Sequence, residues 1–104
     1  MVTNIRHFLD EEDEIPDLPL EAKALLSFLG SIVEAATIAY DRPVTLVDVK
    51  CRATVDGKTC LGEIEAWVYA EDNNIGWECL ECEDDGIISE WVGTIWDRRD
   101  YVRH

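Results

Sequence analysis

Four cysteines constrain this chain more than any other feature. They stand as Cys51-x8-Cys60, then an interval of 18 residues, then Cys79-x2-Cys82, and they are all the cysteines in the 104 residues. Two close pairs separated by enough chain for a hairpin can bring four thiolates to one ion, since a tetrahedral zinc site asks for soft ligands at about 2.3 Å. Three other fates of the thiols stay open: disulfides, free thiols, and a redox-active C-x2-C pair. Disulfides need an oxidising compartment, and the opening Met1-Val2-Thr3-Asn4-Ile5-Arg6-His7 lacks the apolar stretch and cleavage site of a secretion signal. The expected address is the cytoplasm. No apolar run approaches the roughly 18 residues that cross a bilayer, so no membrane role is expected. A redox pair wants a helix N-terminus and nearby cations to lower its thiol pKa; here Glu83-Asp84-Asp85-Gly86 follows Cys82, and its carboxylates are expected to raise it.

Charge excludes a further class. Twenty-three acidic residues against nine Lys plus Arg leave a net charge of −14, a field that repels phosphates. Only two weak basic clusters oppose it, Lys50, Arg52 and Lys58 (with Arg42 nearby) and Arg98, Arg99 and Arg103. Nucleic-acid binding is therefore not expected, although a weak form through Lys50, Arg52 and Lys58 is one alternative. Acidity concentrates in Asp10-Glu11-Glu12-Asp13-Glu14 with Asp17 beyond. Residues 1–17 are expected to form an acidic flexible segment, pinned at Phe8 and Leu9, because like charges this dense repel and offer little to bury. A sharper reading makes the block a docking segment for a basic partner.

The remaining residues, 18–104, read as a single domain, and 47% hydrophobic composition suffices for its core. From Leu18 the apolar residues Leu25, Phe28, Leu29, Ile32, Ala36 and Ala39 recur at three and four, with Pro19 suited to a first turn and Glu21 favoured there by the helix dipole. This predicts a helix of about 20 residues, stopped at Asp41-Arg42-Pro43. Gly30 interrupts it at a cost of about 1 kcal/mol against Ala, which marks a close approach by another element. Beyond Pro43 the period becomes two. Strands are expected over residues 44–51, in a hairpin of residues 63–70 and 75–78 turning at Glu71-Asp72-Asn73-Asn74, and over Ile87 to Val92. The fold class is α+β, one long N-terminal helix packed on a small antiparallel sheet.

The knuckle Cys79-Leu80-Glu81-Cys82, preceded by Trp77-Glu78 and followed by Gly86, resembles the zinc ribbon. The first pair departs from the usual two- to four-residue spacing, so residues 51–60 must form an expanded loop turning at Asp56-Gly57. The segment Gly86-Ile87-Ile88-Ser89-Glu90-Trp91-Val92-Gly93-Thr94-Ile95-Trp96-Asp97 is similar to the ending of a family of short bacterial proteins that share the cysteine arrangement and a preceding helix. That resemblance extends from about Leu18 to Asp97. It implies a zinc-ribbon-like fold with Zn2+ held by Cys51, Cys60, Cys79 and Cys82, and it carries no known activity. Iron in place of zinc stays open. A four-thiolate site would carry charge −2 beside Glu81, Glu83, Asp84 and Asp85, and Lys50, Arg52 and Lys58 are expected to offset part of it.

Four tryptophans lie in the strand-rich half. Trp77 and Trp91 are expected in the core, whereas Trp67 shares its face of the alternating strand with Glu63 and Glu65 and is expected at the surface as a partner anchor beside Tyr69. His7 and His104 are isolated and expected to be solvated. No nucleophile and base stand together, so no enzymatic activity is expected. The resulting expectation is a structural zinc-binding module that mediates protein–protein interaction through a partner the sequence does not identify.

Overall fold

The structure, a computed structural model, describes residues 2–12, 14–40 and 42–99; the expectations for Asp13, Asp41, Arg103 and His104 lie outside the described residues. The chain forms a strand β1 (Val2–Asn4), a 3-10 turn (Ile5–Phe8), one helix α1 (Leu20–Ile38), and strands β2 (Thr45–Lys50), β3 (Thr54–Val55), β4 (Lys58–Thr59), β5 (Glu63–Val68), β6 (Ile75–Cys79) and β7 (Asp85–Ser89). Five strands make one sheet in the order β1-β7-β6-β5-β2, and β3 with β4 makes a separate two-stranded ribbon. The class is α+β, as expected. Among the described residues no helix is long and apolar enough to cross a membrane.

Two features depart from the sequence reading. The sheet is mixed, because β1 lies parallel to β7 with Val2 opposite Ile87, while the other pairings are antiparallel. Residues 2–9 are accordingly part of the fold instead of a flexible lead: Ile5 is completely buried, and Phe8 and Leu9 pack against the core. Burial of one such isoleucine stabilises by about 1.5–3 kcal/mol, and the Arg6 guanidinium adds a hydrogen bond to the Val92 carbonyl. The other departure concerns the final strand, which stops at Ser89 instead of Val92 because Glu90 takes a left-handed backbone (φ 59°).

The helix begins just after Pro19, whose carbonyl accepts from the Lys23 amide, and ends at Ala39. Its buried face is wider than the periodicity suggests, adding Leu26, Val33 and Thr37. The reason is that α1 is covered twice. The sheet covers one side through β2, β5 and β6, with Val47, Ile64, Ala66, Ile75 and Trp77 buried there, and Phe28 meets Trp77 edge to face at 5.3 Å. The segment after β7 covers another: Trp96 lies over Gly30, the Arg98 amide donates to Thr37 Oγ1 at 2.9 Å, and Arg98 pairs with Glu34 at 3.0 Å. Arg99 pairs with Asp97 and stacks on Trp91, whose Nε1–H donates to the Asn73 carbonyl. The second basic cluster thus works inside the fold at Arg98 and Arg99.

Tryptophan over glycine recurs in three places. Trp67 lies over Gly76 on one sheet face, Trp77 over Gly86 on the other, and Trp96 over Gly30. Trp77 Nε1 has no hydrogen-bond partner, an omission that costs about 1–3 kcal/mol. At Gly30 a Cβ would fall 2.6 Å from Trp96 Cδ1, within a ring that is only 7% exposed and has little room to retreat. Alanine gains about 1 kcal/mol of helix propensity, but overpacking costs about 1–3 kcal/mol. Gly30→Ala is therefore expected to lower stability despite the better helix former, read as a reduced denaturation midpoint; an increase would contradict the close approach.

Candidate metal centre

Each cysteine is delivered by a different piece of this architecture. Cys51 follows β2, whose ladder with β5 slips between Val47 and Lys50; such a bulge bends a strand and re-aims the residues after it. The chain then makes the β3–β4 hairpin around Asp56 and Gly57, both at positive φ (52° and 79°). This is the geometry of a tight two-residue turn, and it is how an eight-residue spacing still returns Cys60 to Cys51. The Cys60 amide closes the loop on the Ala53 carbonyl at 2.8 Å. Cys79 is the last residue of the central strand β6, and Cys82 sits in the turn toward β7.

The four sulfurs converge, all lying within 4.8 Å of one another. Cys51 Sγ is 3.5 Å from Cys82 Sγ, and Cys60 Sγ is 3.7 Å from Cys79 Sγ. A tetrahedron with arms of about 2.3 Å has edges of about 3.8 Å, so this set fits a metal ion held by four thiolates. Each close contact joins one cysteine from each pair, which ties residues 51–60 to residues 79–82. Cys51 and Cys79 are buried, and Cys60 and Cys82 partly so. Gly62 is needed here, since a Cβ would lie 2.8 Å from Cys79 Sγ.

Backbone amides face the sulfurs. Ala53 N–H donates to Cys51 Sγ at 3.4 Å, and the amides of Glu81 and Cys82 donate to Cys79 Sγ at 3.4 and 3.5 Å. Burial pushes the Cys51 thiol up to about 12. At Cys60 the Gly62 amide favours the thiolate, but burial together with Cys82 and Cys79 outweighs it, and the pKa is raised. Burial also opposes ionisation of Cys79, yet the Cys82 and Glu81 amides and the neighbouring thiols bring it down to about 7. The expected rise at the C-x2-C pair from its flanking carboxylates is thus not seen at Cys79, because amide donors touch the sulfur directly. The knuckle leads into strand β7 and not into a helix, so Cys79 and Cys82 do not sit at the helix N-terminus that a thioredoxin-like pair uses. Lys50, Arg52 and Lys58 form no ion pair there either; Arg52 sits over the Phe28 ring at 5.9 Å.

Leu61 and Glu83, each directly after the second cysteine of its pair, adopt positive φ (58° and 64°). Left-handed backbone costs a non-glycine residue about 1–2 kcal/mol. Glu83 is exposed, so Glu83→Gly is expected to raise the thermal midpoint by relieving that strain, with a gain of about 1 kcal/mol. A loss would argue against this turn geometry. Sequence reasoning missed these positions, for glycine is the usual signal there and neither turn carries it.

No protein-family model, no curated protein and no solved structure matches this chain.

Proposed function

We propose that this chain is a structural zinc-binding module that mediates protein–protein interaction and has no catalytic role. The observation that supports the reading is the convergence of Cys51, Cys60, Cys79 and Cys82. Four sulfur ligands of this kind suit zinc, and with all of them engaged the ion keeps no position for water or substrate. Bound there, the ion supplies cross-linking: Cys51 and Cys60 hold one loop, Cys79 and Cys82 the other. Zinc is favoured in a reducing compartment such as the cytoplasm, where thiols persist.

The interaction role rests on the net charge of −14 and on aromatic side chains left partly open at the surface, Tyr69 among them. Elemental analysis of the purified chain, with thiol titration of the same sample, is expected to find one zinc per chain and thiols that react only after chelation. Iron as the bound metal, no metal at all, or two disulfides would each overturn the zinc reading. The adaptor reading predicts capture of basic partners; recovery of acidic ones only, or of none, would count against it.

A further inference from the structure

The sheet face turned away from α1 carries two adjoining rows of unlike character. In the first, the register places Leu46, Glu65, Glu78 and Asp85 side by side across β2, β5, β6 and β7. In the second, Trp67, Gly76, Ile87 and Val2 align across β5, β6, β7 and β1. Tyr69, two residues beyond Trp67, meets its ring edge to face at 6.1 Å. The face is open: Val2 is 71% and Leu46 61% exposed. A groove of about 270 Å³ runs between the rows, lined by Val2, Trp67, Tyr69, Glu78, Asp85 and Ile87 among others, with no basic residue in its wall.

Like charges directly opposite one another on neighbouring strands are destabilising. Here three carboxylates stand in one row, and none of the three has an ion-pair partner among the described residues. They are spread at strand spacing and do not close on a point as a metal's ligands do; among the described residues only the cysteines gather that way. A cation that suits the row must therefore be elongated. It must also tolerate an indole and a phenol beside it. The arginine side chain meets both conditions, because its planar guanidinium bridges carboxylates and stacks on aromatic rings.

Resting on the interaction reading above, we propose that this face docks an arginine-bearing basic segment of a partner protein, with the guanidinium between Trp67 and the Glu78–Asp85 pair. The sheet side takes the charge, Val2 and Ile87 take the aliphatic stem, and Glu65 extends the negative row toward β2.

The test is a titration of the zinc-loaded, 15N-labelled full chain with a blocked tetrapeptide containing two central arginines, reading the Trp67 indole N–H resonance. The arginine peptide should move that resonance, and the same peptide carrying citrulline should not. The double variant Glu78→Gln with Asp85→Asn should weaken binding by about tenfold or more, since charge-assisted contacts are lost. Asp17→Asn with Glu21→Gln, which removes equal charge on the helix side, should weaken it by about twofold or less through the general field. No movement at Trp67, equal weakening by both pairs, or full binding of the citrulline peptide would each overturn the proposal. Both acidic variants are near-isosteric, and relief of repulsion should keep the melting temperature of the first at or above the parent's. Should that variant fail to fold, the citrulline comparison on the parent chain decides alone. Failure here with zinc still bound and basic partners still captured removes this face and leaves the module reading intact; a chain without zinc removes that reading instead.

Discussion

A Cys79→Ser chain is expected to bind no zinc and to lose cooperative melting of its sheet. Cys79 closes the central strand, is completely buried, and faces Cys60 across 3.7 Å. Apparent zinc-binding free energies in small fingers are about 10–16 kcal/mol, as large as the whole stability of an ordinary domain, about 5–15 kcal/mol. Loss of the ion therefore removes the cross-link between the two loops, and the shorter serine side chain leaves the Glu81 and Cys82 amides, which donate to Cys79 Sγ, a poorer acceptor position. Part of the helical circular dichroism should survive while Trp77 emission moves to the red as its cover opens. Cys82→Ser should lose the metal equally but suffer less in packing, since Cys82 is only half-buried. Chelation of the parent chain should reproduce the metal-dependent part, and so should acid, because protons compete with the ion for each sulfur. An unchanged melting curve in Cys79→Ser would remove the ion from any structural role.

Ile5→Ala is expected to cost about 2–4 kcal/mol, within the range for emptying a buried aliphatic site. That is a large effect for a residue only five positions along, next to a stretch dense in charge. Ile5 is 0% exposed, Asn4 caps the turn that holds it by accepting from the Arg6 amide, and β1 sets its height in the sheet. Leu20→Ala, at a site 83% exposed, should stay within about 0.5 kcal/mol. Chemical denaturation of the two variants side by side makes the comparison; equal, small effects would return the first residues to a loose lead.

The helix, β2, the β5–β6 hairpin and the convergence of the cysteines were legible because each is written locally: a period of three and four, an alternation of two, or a short spacing. The close approach at Gly30 was legible too, as a cost with no local reason. What stayed hidden was non-local. β1 is three residues long, too short to alternate, and its partner β7 lies at the other end of the sequence. The acidic block beside it dominated the reading of residues 1–17. The wide buried face of α1 depends on Trp96 and Arg98 folding back, which no periodicity in the helix announces. Likewise the half-burial of Trp67 follows from Gly76 opposite it, a register fact and not a pattern in either strand.

The parallel pairing of Val2–Asn4 with residues 87–89 also orders events during synthesis. A ribosome releases β1 long before its partner exists, so the short strand must wait while the helix, the knuckles and the hairpin are made. Formation of a contact so remote along the chain is slow, because loop-closure entropy comes due before the contact rewards it. Until β7 emerges the nascent sheet ends at β6, and during that interval β1 and the β6 edge are both available to a neighbouring chain.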